Sequence, residues 1–321
     1  MEKSTSEKDK SSESNADGVR LIQALDSLDL VDSELGEAAW MSCVTERVGA
    51  DIADEWYAFT NEAGDVEVVR AGEENAKVRV KATIKAENKE RAGKTKLSAE
   101  READGTLVVE IHWPDGERKA FESASIKVEV PQTSALRVNT GNGSVKLSNT
   151  SGETLLSVNN GSINVRGHEG PISFEVTNGK TEMRDVRGSV GGRAINGGAT
   201  LTGVSGEVTV ECTNGPIDIR LSADNKGPVK AKTSNAGVSL AVGKVFAGEL
   251  RASTANGEVR IELPGLIKSM KEDHRARVVE LMTDGDQSEL TASNGDVKVK
   301  LIEDAPASSD KPSEKSEPAK K

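Results

Sequence analysis

The sequence predicts an all-β chain wound as a β-solenoid, with two short strands per 18–21-residue coil, a short N-terminal helical segment and disordered tails. Three observations predict it. Asn recurs at 142, 160, 178, 196 and 214 at a constant interval of 18, then at 235 and 256 at intervals of 21, and again at 294. Apolar and polar residues alternate with period two between these positions, the mark of strands with one buried face. Only 2% of residues are aromatic while 31 are Gly, which suits a core too narrow for large rings. A fixed period across many units is the signature of stacked repeats.

In chain order, residues 1–18 hold almost nothing but Ser, Lys, Glu, Asp and Asn. They cannot bury enough apolar area to offset ordering entropy and are read as a disordered tail. Residues 19–55 read as helical: Ser33 followed by Glu34 and Glu37 is a candidate N-cap, and Trp40, Val44, Val48 and Ile52 recur every four residues. Such a helix could dock a partner, but covering the end of the solenoid is the expected role, because solenoid ends need caps.

The solenoid is expected over 56–302. Trp56, Ala58 and Thr60 alternate as a strand, and Asn61, Gly64, Val66 and Val68 resemble a turn and the strand after it. Between 69 and 135 the period disappears into a β excursion, with strands at Val78–Ile84, Leu107–Ile111 and Ile126–Val130. From Leu136 each unit reads Asn-Gly-x-Φ-x-Φ-x-x-x-x-Gly-x-Φ-x-Φ-x-φ-x, where φ is a smaller residue, giving five inward positions per coil. The Asn and Gly residues tolerate positive φ in tight reversals, and Asn side chains at one corner can stack as a hydrogen-bonded ladder: Asn142, Asn160, Asn178, Asn196, Asn214, Asn235, Asn256 and Asn294. The 21-residue units fit if extra residues near Ala223-Asp224-Asn225 bulge at the second turn, and a short insertion at 264–277 stretches the last Asn interval to 38. The tail 303–321 reads as disordered.

Chemistry is sparse. His112, His168 and His274 lack metal-ligand spacing, and His168 beside Glu169 reads as a solvated corner. Cys43 and Cys212 form no Cys-x-x-Cys; Cys212 falls on an inward position, where it reads as a small buried hydrophobe. The glycines at 141–143 and 188–192 precede strands rather than a helix N-terminus, so they make no phosphate loop. Glu182, Asp185, Glu207, Glu211 and Asp218 could support glycoside chemistry, but sugar-stacking aromatics are missing from the coils apart from Phe174 and Phe246. The sequons at Asn142, Asn149 and Asn160 reflect turn chemistry. No catalytic residue, metal ligand or cofactor is expected.

The net charge of -11 argues against nucleic acid as a partner, and residues 1–135 carry all of that excess, with 18 basic and 29 acidic side chains. No run of about 18 apolar residues exists, so no transmembrane segment is expected. No apolar stretch follows the early lysines, which implies a cytoplasmic protein if the chain is full length and an exported or envelope protein if it is trimmed.

The Asn-Gly-x-Val-x-Val units, the early strand with one such turn, the irregular segment closing at Val130-Pro131 and the final Asn294-Gly295-Asp296-Val297-Lys298-Val299 strand together resemble a bacterial family of β-strand-repeat proteins labelled putative adhesins. The resemblance covers roughly 56–302 and implies a right-handed β-helix, without established catalytic residues, in proteins that typically carry an export signal or an envelope anchor. The function expected on this basis is a non-catalytic scaffold that binds an unidentified macromolecule, a protein or an envelope polymer. The alternative is a cytoplasmic, self-assembling, bactofilin-like β-helical filament, and the third reading is a polysaccharide-active β-helix enzyme.

Overall fold

The computed structural model describes residues 41–48, 56–72, 78–130, 135–273 and 275–302. The expected disordered tails lie outside them. Strands numbered in chain order build two facing sheets. Sheet one holds twelve, in spatial order β1 (Met41–Val48), β4 (Arg79–Ala86), β7 (Ser123–Val130), β3 (Val66–Arg70), β9 (Val145–Ser151), β11 (Ile163–Glu169), β13 (Thr181–Arg187), β15 (Ala199–Val204), β17 (Ile217–Leu221), β19 (Val238–Val242), β25 (Val297–Leu301) and β21 (Val259–Glu262). Sheet two holds thirteen: β22 (Ile267–Asp273), β23 (Ala276–Leu281), β20 (Glu249–Thr254), β24 (Ser288–Ala292), β18 (Val229–Thr233), β16 (Val208–Cys212), β14 (Val190–Asn196), β12 (Ile172–Asn178), β10 (Glu153–Asn160), β8 (Ala135–Asn142), β2 (Trp56–Ala63), β6 (Leu107–His112) and β5 (Lys96–Arg101).

From β8 to β21 the chain alternates between the sheets, one strand in each per coil, and neighbouring coils pair in parallel with like above like. Val145, Ile163 and Thr181 are register partners in sheet one, and Leu156, Phe174 and Gly192 in sheet two. The core is the slot between the sheets. It takes six side chains per coil rather than the expected five: Ile163, Val165, His168, Ile172, Phe174 and Val176 are all buried. Phe174 fits because its neighbour is Gly192, where a Cβ would sit 2.3 Å from the ring. The slot also holds an unsatisfied hydroxyl. Thr181 is 0% exposed and its Oγ1 has no hydrogen-bond partner among the described residues. Thr181→Val keeps the shape and removes the desolvated hydroxyl, so thermal melting should show a gain of about 1 kcal/mol; a loss would mean that the hydroxyl is satisfied.

Two further expectations change. Residues 41–48 form a strand, antiparallel to β4, where a helix over 19–55 was expected; 19–40 and 49–55 lie outside the described residues. A spacing of four puts Val44 and Val48 on one helix face and equally on one strand face, so the pattern alone could not decide. The edge of β4 decided, because it offers unpaired backbone donors and acceptors. The short helix that does form is α1 (Lys89–Lys94), inside the excursion, with Asn88 accepting from the Arg91 N–H.

The order of coils is not the order of the chain at either end. The coil β2–β3 lies between coil β6–β7 and coil β8–β9, and the coil β24–β25 lies between β18–β19 and β20–β21. At each end, then, one coil is filled out of sequence. Beyond them the parallel winding stops. β5 and β4 lie antiparallel on β6 and β7, and the hairpin β22–β23, which extends the expected 264–277 insertion to Leu281, lies antiparallel on β20. Trp113 is buried at the first end. There Arg91 Nε also donates to the buried Glu122 carboxylate at 2.6 Å, and Lys119 N–H donates to its other oxygen at 2.9 Å. Burial by itself would raise the Glu122 pKa; the Arg91 hydrogen bond and the backbone donors outweigh it and hold the group below the usual carboxylate range.

On the outer face of sheet two, Glu175, Arg193, Glu211 and Lys232 are consecutive register partners, alternating in sign. Opposite charges across strands contribute roughly 0.2–1 kcal/mol per pair, towards the low end when exposed. Arg193→Glu places three acids in a row. It should lower the melting temperature modestly at low salt, and high salt should erase most of the loss. An unchanged melting temperature at low salt would show that the column does not hold register.

Candidate functional site

The corner that begins each coil is built from the Asn-Gly pair. The Asn side chains form one continuous chain of bonds, each Nδ2 donating to the Oδ1 of the coil before it. Asn160 donates to Asn142 at 3.0 Å, Asn178 to Asn160, Asn196 to Asn178 and Asn214 to Asn196 each at 2.8 Å, and Asn235 to Asn214 at 2.7 Å. The chain then follows space rather than sequence. Asn294 donates to Asn235 at 3.0 Å, and Asn256 donates to Asn294 at 2.9 Å. Positive φ does not explain these residues: among non-glycine residues it occurs at Asp115, Asn149 and Asp185, none of them in the ladder. The glycines beside the ladder are there for space. A Cβ on Gly161 would sit 1.9 Å from the Gly143 carbonyl oxygen, and one on Gly179 1.7 Å from that of Gly161. The second-turn bulge of the longer coils is anchored by Asn225, whose buried Nδ2 donates to the Val204 and Gly206 carbonyls, each at 2.9 Å.

The second periodic column escaped the sequence reading. Asn149, Gly167, Asp185 and Gly203, again 18 apart, have φ of 54°, 64°, 57° and 71°. Each is an αL residue that interrupts the strand's alternation, so the residue after it returns to the inside. Asn, Asp and Gly at fixed spacing were the signal, since these residues reach αL at least cost. This corrects the reading of His168 as a solvated corner: its side chain is fully buried. Nε2 lies 3.0 Å from the Gly152 carbonyl, which can only accept, so Nε2 carries the proton and Nδ1 accepts from Thr150 Oγ1 at 2.9 Å. Burial pushes the His168 pKa below its ordinary value, against smaller opposing effects of the Gly152 hydrogen bond and Glu169. A group kept neutral by folding contributes stability that is fully present above the unfolded pKa and is lost as pH falls below it. Wild-type melting temperature should therefore fall as pH drops below about 6.5, the ordinary histidine value. In His168→Val, which copies Val186 and Val204 of the next coils, that slope should flatten; an equal slope in both proteins would show that His168 titrates freely.

Both ring nitrogens of His168 are thus committed to structure and neither faces a substrate. Cys212 is buried and its thiol is pushed up to about 11 by burial, which keeps it protonated. Of the five carboxylates considered for glycoside chemistry, Glu182 and Asp218 share a sheet-one column with Thr200 between them, whereas Glu211 lies on sheet two. Glu211 is therefore separated from Glu182 and Asp218 by the core between the sheets. His112 is exposed on β6, and His274 lies outside the described residues, as does the side chain of Cys43. No three His, Cys, Asp or Glu side chains among the described residues are grouped to hold a metal ion. No helix among them is long and apolar enough to cross a membrane.

What the molecule offers instead is surface. The hollows among the described residues include three that open on it. One of about 520 Å³ lies on sheet two beside Asn139, Ser157 and Glu175. One of about 370 Å³ lies beside the αL column at Asn149 and Asp185. One of about 320 Å³ lies on sheet one around Arg220, Ser239 and Lys300.

Solved structures that match include a "putative cell adhesion protein" from Clostridium sporogenes, at 11% identity over 81% of this chain and 100% of that one, with a TM-score of 0.23. A "putative adhesin" from Bacteroides fragilis matches at 9% identity over 81% and 97%, with a TM-score of 0.34. A "putative lipid binding protein" from Parabacteroides distasonis matches at 15% identity over 81% and 97%, with a TM-score of 0.35. No curated protein matches the sequence. The Toastrack DUF4097 family model matches residues 58–300, and the chain belongs to that family.

Proposed function

We propose that the protein is a non-catalytic β-solenoid scaffold that binds another macromolecule, a protein or an envelope polymer, along its outer sheet faces. One observation carries the reading: both sheets present outward side chains in register columns, while the buried His168 and Cys212 are committed to packing and hydrogen bonding. Long columns on rigid strands suit extended partners. The filament alternative requires coils to stack end to end in parallel. The antiparallel strands β4 and β5 at one end and the β22–β23 hairpin at the other weigh against it.

The test is proximity labelling from the full chain in the cell that makes it, with Val210→Asp as an unfolded control. A defined set of labelled macromolecules, lost in the control, is expected. An identical set from both proteins would overturn the scaffold reading. Pelleting polymers of the purified chain would favour the filament instead, and chemical conversion of a captured partner would favour an enzyme.

A further inference from the structure

The outer face of sheet one differs in kind from that of sheet two. On sheet two the register column alternates in sign. On sheet one, Arg166 stands directly beside Arg184, Thr202 separates Arg184 from Arg220, and Ala241 separates Arg220 from Lys300. All four cations are exposed. Several other cations on this face hold carboxylates, though Lys146 holds none among the described residues: Lys127 meets Glu67 at 3.8 Å, Lys298 meets Asp296 at 3.3 Å and Arg260 meets Glu258 at 2.5 Å. Arg166, Arg184, Arg220 and Lys300 hold none among the described residues. Like charges side by side across strands oppose folding. Arg166 beside Arg184 breaks that rule with no ion pair among the described residues to offset it, while Lys300 has Glu262 as its other register partner; a broken local rule is where function is to be sought.

We propose that this column binds a linear acidic polysaccharide lying along the solenoid axis. The proposal rests on the scaffold reading above and names its face and its partner. Neighbouring strands are about 4.8 Å apart, so the cations form a row with one interval of one strand and two of two strands, which suits an extended chain carrying several anionic groups along its length. The row ends in the 320 Å³ hollow, where Arg220 and Lys300 stand among the hydroxyls of Thr200, Thr202 and Ser239. Glu182 and Asp218 lie on the same face, two residues back from Arg184 and Arg220. Carboxylates there accept hydrogen bonds from sugar hydroxyls and repel a densely charged phosphodiester backbone. Column neighbours that are Thr and Ala give nucleobases no aromatic platform on which to stack. Both features favour a carboxylated sugar polymer over nucleic acid.

The experiment measures binding of the full chain to polygalacturonate, with its methyl-esterified form and single-stranded DNA as controls. Polygalacturonate should bind saturably, weaken by about tenfold or more between about 50 and about 200 mM salt through counterion release, and bind more tightly than either control. The triple variant Arg166→Gln, Arg184→Gln, Arg220→Gln should lose about tenfold or more of that affinity. Its melting temperature at low salt should be unchanged or raised, because like-charge repulsion is relieved. The single variant Arg184→Gln repeats the reading with less perturbation and should lose affinity to a smaller degree. On sheet two, Lys230→Gln with Lys232→Gln should bind as wild type. Equal binding of the esterified polymer, tighter binding of DNA, or full affinity in the triple variant would each overturn the proposal. A site lost with the sheet-two lysines would do so too, while leaving the scaffold reading in place. New reducing ends appearing during binding would instead overturn the scaffold reading, and the loss of affinity in the triple variant would still locate the site.

Discussion

Val210→Asp is expected to unfold several adjacent coils together, at a cost of more than about 4 kcal/mol. Val210 is 0% exposed in the middle of β16. Its register partners are Gly192 on one side and Ala231 on the other, and neither offers a hydrogen bond from its side chain. The new carboxylate would have to be buried unpaired or be protonated, and both are costly. Each coil of a solenoid depends on its neighbours for burial, so the damage spreads along the axis. Thermal melting followed by circular dichroism measures the loss, and hydrogen exchange maps its reach. Protection should fall from about β12 to β19 while the two capped ends change least. A melting transition equal to wild type would mean that position 210 does not face the core.

Gly179→Ala is expected to be among the most damaging single methyl groups in the described coils. The added Cβ would lie 1.7 Å from the Gly161 carbonyl oxygen, and the obstacle is backbone of the coil before it. Relief requires the corner to open, which stretches the Asn178–Asn160 bond of 2.8 Å and the Asn196–Asn178 bond of 2.8 Å beside it. Overpacking in a filled interior costs about 1–3 kcal/mol, and an immovable neighbour puts this site at or above the upper end. Gly191→Ala is the control. A Cβ there meets only the Thr209 carbonyl oxygen at 4.0 Å, so the variant should melt within a degree or two of wild type, or slightly above it through a less flexible unfolded chain. Equal effects of the two substitutions would show that the corner glycines serve flexibility rather than close approach.

Much of the repeat was legible because its causes are local. Strand faces follow from period two, as in Ile217-Asp218-Ile219, where the apolar residues are buried and the acid exposed. The ladder follows from Asn at a constant interval, since stacking in register is what a constant interval provides. The misreadings were also local. The wildcard positions between the second apolar residue and the second Gly concealed an αL residue, and without it His168 could not be placed inside. Met41–Val48 carried a spacing compatible with helix and strand alike.

The sequence by itself determined the coil length, the buried face of the strands in the regular coils, the Asn-lined corner and the narrowness of the core, because each depends on neighbours a few residues away or one period away. In Trp56–Ala63, outside those coils, the buried residues include Tyr57, Phe59 and Asn61 and not the expected Trp56, Ala58 and Thr60. Only the tertiary structure decided which strand lies beside which at the ends. Coil β24–β25 slots between β18–β19 and β20–β21, so that Asn294 bonds to Asn235 and Asn256 rather than following Asn256 in the ladder. At the other end β2–β3 is covered by β6–β7, which follows it in the chain. Strand pairing is set by which edges remain open once the rest has wound, and loop closure costs little more for a long connection than for a short one. The cation column on sheet one was hidden for the same reason. Arg166 and Arg184 are 18 residues apart in sequence and become neighbours only when winding places one coil on the next.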